Sequence, residues 1–362
     1  MSTLLLSLLL ACSGGADPLT FVTYNAGLAE GFVPGANERA PATIAAIGAL
    51  SADAICVQEV WNPAHAALLQ QEAAFPYHEL PAPSQDHGTG PACEAGAMDA
   101  LATCMETNCG DACVDDIPGC ALDHCALDFL RLDKGCMRCV QANIGGAVSD
   151  IVSTCETEAT EYAYDGSFGT GIASKYPLSG AEQHVFASTT NRRSVQHAVM
   201  DAPGGPVDVY CTHLTAVFAV IPYPRTEGTW ILEQEAQITD MLAWIDATAS
   251  SERVVLLGDM NTGPATATAA AEIPENFSYF QTSRFSDPYA ELDGTCTFCA
   301  DNAISSVDSD ADGRLIDHVF VDGFTTTVAT ARVLDAPVDI QSCGQTIPGA
   351  HSDHYGVSVT VE

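Results

Sequence analysis

The chain has 362 residues, 47% of them apolar, enough to bury a substantial core in one large domain or two. Its 47 acidic residues against 12 basic ones give a formal charge of −35. That balance argues against a protein that grips nucleic acid through a basic surface, since such affinity comes mainly from neutralising phosphates, and equally against charge-driven docking on anionic lipid.

The opening "MSTLLLSLLLACSGG" is too short to cross a bilayer as a helix and fits the apolar region of an export signal ending in small residues. Within it, "LLAC" followed by Ser-Gly-Gly resembles a bacterial lipobox, although the Lys or Arg expected before the apolar run is missing. This implies Cys12 as a lipid-modified first residue and an exported, surface-held or secreted protein. Residues 1–18 are read as a lipoprotein-type signal and short tether, and 19–362 as the body.

"LTFVTYNAG" alternates as a first strand, "RAPATIAAIGAL" has helical spacing, and "DAICVQEVW" is a second buried strand. Between residues 84 and 165 cysteines, acids and short amphipathic stretches replace long strands, which predicts a helical, disulfide-stapled insertion. Strands resume at "GTGIASKYPL", "SVQHAVM" and "PVDVYCTHL", and "TWILEQEAQITDMLAWIDA" is the longest helix. In "VLLGDMNT", Val254–Leu257 form a buried strand and Gly258 a sharp turn, leaving Asp259 and Asn261 at the carboxyl rim where layered α/β proteins bind ligands. Taken alone, that pair is equally an ordinary Asp-x-Asn-x-Gly turn. "LIDHVFVDG", "TTTVATARVL" and "YGVSVTV" complete the series, the last directly after "HSDH". Strands with few long helices predict two packed sheets with helices outside them.

Of the 15 cysteines, nine lie between Cys93 and Cys155, a crowding that suits an oxidising compartment. Nine is odd, so that cluster cannot close on itself completely, whereas removal of Cys12 leaves fourteen, which permits full pairing. "CTFC" at 296–299 reads as a small structural disulfide rather than half a zinc site, and disulfides are favoured over zinc for "CMRC" and "CGDAC" in the insertion.

Residues able to do chemistry recur at strand ends: Asn25, Glu59, His213, Asp259, Asn261, Asp317 with His318, and Asp353 with His354. Together "TYNAG", "VQEVW", "GTGIASKYPL", "CTHL", "LLGDMNT", "IDHVFV" and "SDHYGVSV" resemble the motifs of the endonuclease/exonuclease/phosphatase superfamily, which includes deoxyribonuclease I and the neutral sphingomyelinases. The resemblance implies an α/β fold, a four-layer α/β/β/α sandwich of two mixed sheets. It also implies hydrolysis of a phosphate ester with Mg²⁺, Mn²⁺ or another divalent ion held by Glu59, Asn25 and Asp353. In this pattern His354 is the general base and Asp317 orients it; His213 stabilises the phosphoryl oxygens or leaving group. Asn261 holds phosphate or a metal-bound water, and Asp259 orients that water or His213.

The favoured substrate is a phospholipid such as sphingomyelin, cleaved by a monomer. Phe218, Ile221 and Tyr223 in "LTAVFAVIPYP" are candidates to meet lipid, against ordinary core packing. The alternatives are an extracellular deoxyribonuclease I-like endonuclease and a non-catalytic surface binding protein. Two weaker features remain. "DSDADG" has the start of a calcium loop at Asp308, Asp310 and Asp312 without its closing Glu, and reads better as a solvated turn. Arg192 and Arg193 read as an exposed pair at a strand start rather than a phosphate contact.

Overall fold

The computed structural model describes residues 17–362 apart from 89, 219–220 and 308–310. Cys12, Asp308 and Asp310 therefore lie outside the described residues; Asp312 is exposed. Along Leu19–Asn25 the side chains alternate between two hydrophobic environments. Leu19 and Phe21 enter the core between the sheets, while Val22 and Tyr24 pack on the outer face. Arg253–Asp259 repeats the scheme, with Val255 and Leu257 facing inward and Val254 and Leu256 outward. Burial on both faces is why these strands read as unbroken apolar runs.

One sheet has six strands in the order Thr327–Val333, Gly356–Val361, Leu19–Asn25, Ala54–Gln58, Gly171–Ser174 and Tyr77–Glu79. The other has five, in the order Asp317–Asp322, Arg253–Asp259, Gly205–His213, Ser194–Ala202 and Leu178–Val185. Each is mixed, with one parallel pair: Leu19–Asn25 beside Ala54–Gln58, and Gly205–His213 beside Arg253–Asp259. Helix Ala36–Gly48 covers the first sheet through Ala40, Ile44 and Ile47. Helix Trp230–Thr248 covers the second through Ile238, Met241 and Ile245, and its Thr229 cap accepts a hydrogen bond from Leu232 N. The result is the four-layer sandwich expected from the sequence.

Three local expectations are corrected. "GTGIASKYPL" is not one strand: Gly171–Ser174 belongs to one sheet and Leu178–Val185 to the other, so the chain changes sheets at Lys175–Pro177, where proline lacks the N–H a ladder needs. Gly258 is not a turn, because its strand continues through Asp259; a Cβ there would collide with the carbonyl of Thr212 on the neighbouring strand. The reversal falls at Asn261, whose φ is +50°. Periodicity also passed over the hairpin Val338–Ser342/Gln345–Gly349.

Between Asp99 and Cys155 lie four helices: Asp99–Cys109, Ile117–Phe129, Lys134–Ala142 and Val148–Cys155. Bonds Cys93–Cys136, Cys104–Cys125, Cys109–Cys120 and Cys139–Cys155 tie them together. The ninth cysteine of the cluster, Cys113, leaves it to bond Cys343 on the hairpin. Cys296–Cys299 is the small bridge predicted, and Cys56–Cys211 joins the two sheets through the core. Cys56–Cys211 links residues 155 positions apart, so the Cys56→Ser/Cys211→Ser double variant is expected to lose about 3–5 kcal/mol in urea unfolding.

Candidate active site

The register of the five-stranded sheet sets three side chains in one row. Asp259 lies opposite His213 on one neighbour and opposite Asp317 on the other. Side chains at one ladder level share a face, so all three project together. Asn25, from the end of a strand in the facing sheet, donates its Nδ2 to Asp259 Oδ2 at 2.9 Å. Asp259 Oδ1 accepts from Asn261 N at 2.9 Å, closing the turn, and Asn261 Nδ2 donates to Leu214 O at 3.0 Å. His213 Nε2 stands 3.5 Å from Asp259 Oδ2.

His354 reaches this row from the loop before the last strand. Its Nδ1 lies 2.8 Å from Asp317 Oδ2, and its backbone N donates to Ser352 Oγ at 3.1 Å. Burial opposes a charged ring, but Asp317, then Asp259 and Asp353, outweigh it and hold the His354 pKa well above the ordinary value. An imidazole fixed at Nδ1 by a carboxylate presents Nε2 as its reactive nitrogen. His213 is the opposite case. Burial, reinforced by Arg193 and His354, drives its pKa well down, so it sits as a neutral ring.

In the same cavity, Glu59 follows its strand with a φ of +59°, a conformation that L residues adopt only when their surroundings impose it. Burial, then the Asp353 charge, pushes its pKa up to about 7. Asp259 rises to about 6, from burial and then Asp317. The loops carrying Asn25 and Asp353 are drawn together by Arg39, a buried residue the sequence did not single out. Its guanidinium donates to the carbonyls of Pro34, Ala26, Gly27 and His351. Gly27 faces Asp353 so closely that a Cβ would strike its carboxylate.

Glu59, Asp353, His354, His213, Asp259 and Asn261 line one cavity of about 720 Å³. Asn25 and Asp317 stand behind that lining, holding Asp259 and His354 respectively. Glu59 and Asp353 line the same cavity, and two carboxylate oxygen donors there suit a hard divalent cation. Asn25 is set back from such a position: its Oδ1 accepts from Gly27 N at 3.0 Å while its Nδ2 serves Asp259.

Arg193 corrects an expectation. It is not an exposed partner of Arg192 but a buried cation lining the cavity, with the guanidinium 5.8 Å from the Trp61 ring and Nη1 without a partner among the described residues. Arg192 points elsewhere, to Asp86 at 2.8 Å and over Tyr162. A signal was available: arginine is scarce in this chain, and this one directly precedes a strand whose first five residues are buried. Tyr223 is likewise not open to lipid, since its hydroxyl donates to Glu233 and its ring packs on Trp230; Phe218 and Ile221 line the cavity.

The family model for the endonuclease/exonuclease/phosphatase family matches residues 22–354. The chain belongs to that family. No curated protein matches the chain in sequence. Among solved structures, sphingomyelinase C from Streptomyces griseocarneus superposes with a TM-score of 0.57 at 18% identity, covering 96% of this chain and 100% of that one. A beta toxin variant from Staphylococcus aureus with bound magnesium ions gives 0.56 at 14%, covering 96% and 100%. D. rerio TDP2 complexed with single strand DNA product gives 0.50 at 15%, covering 96% and 99%. At these identities the likeness establishes the fold. Membership of the family makes the chain a phosphoesterase.

In a phosphoesterase the Asp317–His354 pair is able to take a proton from water, and Arg193 and His213 are able to offset charge on phosphoryl oxygens. Asp317→Asn is expected to lower kcat by about 10³–10⁴ while circular dichroism stays unchanged. Arg193→Ala is expected to lower kcat/KM by about 10²–10³, with Arg193→Lys restoring little of it because the forked donor geometry is lost.

His318, beside Asp317, is a strut: Nδ1 meets Asp287 at 2.7 Å and Nε2 meets Thr262 O at 3.1 Å. Burial works against its charged form, yet Asp287 raises its pKa. A raised folded-state value contributes stability that is complete below the unfolded value of about 6.5 and lost as pH climbs through the raised one. Asp287→Asn should therefore lower the urea midpoint more near pH 6 than near pH 9.

Proposed function

We propose that this protein is an exported, Mg²⁺-dependent phosphodiesterase acting on a phospholipid of the sphingomyelin type. The observation that carries the reading is the convergence on one cavity of His354, held from behind by Asp317, with Glu59, Asp353 and Arg193. Magnesium held by Glu59 and Asp353 supplies, when bound, the positive charge that lets a nucleophile approach a phosphate anion. His354 Nε2 removes the proton from water, and Asp317 stabilises the imidazolium that forms. His213, neutral and turned toward the same space, donates a hydrogen bond to a phosphoryl oxygen or the departing oxygen. Asp259 fixes its position, and Asn261 holds phosphate with its amide.

The lipid assignment is supported by the apolar and aromatic character of the cavity walls, where Trp61 stacks on Tyr164 at 4.9 Å and Phe218 packs against Trp230. A surface with 12 cations against 47 acids gives little grip on a polynucleotide. A nuclease is the second reading, favoured by the fold shared with a protein solved with single-stranded DNA product. The binding-protein reading is disfavoured, since a scaffold without chemistry has no use for the Asp317–His354 pair. Export and lipid attachment at Cys12 belong to this proposal and rest on the leader sequence.

The purified protein is expected to hydrolyse sphingomyelin or phosphatidylcholine vesicles in preference to plasmid DNA and small phosphate esters. Chelation should abolish that activity, Mg²⁺ should restore it, and His354→Ala should reduce it at least a thousandfold, on the order of what a general base contributes together with its triad. Cleavage of DNA alone would replace the substrate assignment, and full activity in His354→Ala would overturn the mechanism.

A further inference from the structure

The catalytic cavity does not end at the phosphoesterase body. It runs on without interruption into the interior of the disulfide-tied helices, where its walls are almost wholly apolar. Helix Asp99–Cys109 contributes Leu101 and Met105, four residues apart, and helix Ile117–Phe129 contributes Pro118, Leu122 and Ala126 at the same spacing. In each case the residues form a stripe along one helix face. Ordinarily such stripes meet and exclude every void larger than a water molecule. Here Leu101 and Met105 do pack with Ile117 and Ala121, but the two helices together also leave an apolar face on the cavity, which at about 720 Å³ falls within the roughly 300–1,000 Å³ of small-molecule sites.

Covalent bonds fix that face in place. Cys104–Cys125 and Cys109–Cys120 clamp the two striped helices to each other, and Cys139–Cys155 fixes the pair Lys134–Ala142 and Val148–Cys155. The bundle is also bolted to the body on opposite sides. Cys113 bonds Cys343 of the hairpin, while Lys134 Nζ and Gln141 Nε2 donate to the carbonyls of Tyr223 and Pro222. An apolar space kept open in this way, with a phosphate-handling end and a hydrocarbon-like end, matches an amphiphile whose headgroup is a phosphate ester.

We infer that the insertion is the wall of a chain-binding chamber: one hydrocarbon chain of the substrate is drawn out of its bilayer and seated against the apolar face that helices Asp99–Cys109 and Ile117–Phe129 present to the cavity, while the phosphate sits against His354 and Arg193. The inference rests on the phosphodiesterase reading and adds to it a chain-length preference and activity on monomeric lipid. Met98 and Met105 in the wall are unbranched and adaptable, which suits a flexible chain.

The test uses n-alkylphosphocholines from butyl to hexadecyl, each below its critical micelle concentration, with bis(p-nitrophenyl) phosphate as a chainless phosphodiester. For the full chain, kcat/KM should rise about threefold per methylene and then level off where the chamber is filled. Ala121→Trp, which places a ring in the chamber, should move that plateau to shorter chains; Met105→Ala should move it to longer ones and serves if the first variant folds poorly. In parallel, dodecylphosphocholine binding to chelator-treated protein is followed by calorimetry. It should be at least tenfold tighter than that of the butyl compound and weakened about tenfold by Ala121→Trp.

Equal binding of dodecyl and butyl compounds, or a folded Ala121→Trp protein indistinguishable from the wild type, overturns the chamber. If the chainless ester is still cleaved in that case, the phosphodiesterase reading survives. Chain-length-dependent binding without hydrolysis of any of these compounds supports the chamber and overturns the phosphodiesterase reading.

Discussion

Everything at the catalytic end depends on the strands of two separate sheets ending at one level. His213, Asp259 and Asp317 are level because of strand register alone, and a shift of one residue would turn each to the opposite face. Asn25 and Glu59 come from the other sheet, so their height relative to Asp259 is set by how the sheets pack. Cys56–Cys211 joins the two at a point just short of Glu59 and His213, and Asn25 completes the link by its bond to Asp259. With both in place, buried carboxylates stand closer together than their charges favour. The raised pKa values of Glu59 and Asp259 express their burial first and the neighbouring carboxylates second.

Most of the architecture was legible in the sequence because doubly buried strands leave uninterrupted apolar runs and helices leave a periodic face. "VVLL" and the helix after Gly228 are examples. The reactive residues were legible through their position at strand ends, where "GDMNT", "IDHVF" and "SDH" place acids, amides and histidines in a fixed order. What escaped were features that depend on distant segments meeting. Gly258 looked like a hinge because its neighbour, the Thr212 carbonyl, is invisible from its own strand. Lys175–Pro177 concealed a change of sheet because both flanking segments are strands.

The two arginines show the same limit more sharply. Nothing in the local sequence of Arg39 reveals that four carbonyls from two loops converge on it, and only the scarcity of arginine and the buried strand that follows hint that Arg193, beside a largely covered Arg192, is turned inward. The odd count of cysteines in the insertion, by contrast, did carry long-range information. It required one bond to leave the cluster, and Cys113–Cys343 is that bond.

That bond also imposes an order of assembly. The four bridges within the insertion join residues no more than 43 positions apart, all present once Cys155 has been made. Cys113 must wait for Cys343, which lies 230 positions further on. During synthesis the helical bundle is thus able to complete its own wiring long before the sheets it leans on are finished. Its anchorage to the body comes later than its internal wiring, so the cavity between them takes its final walls only after the bundle is already stapled.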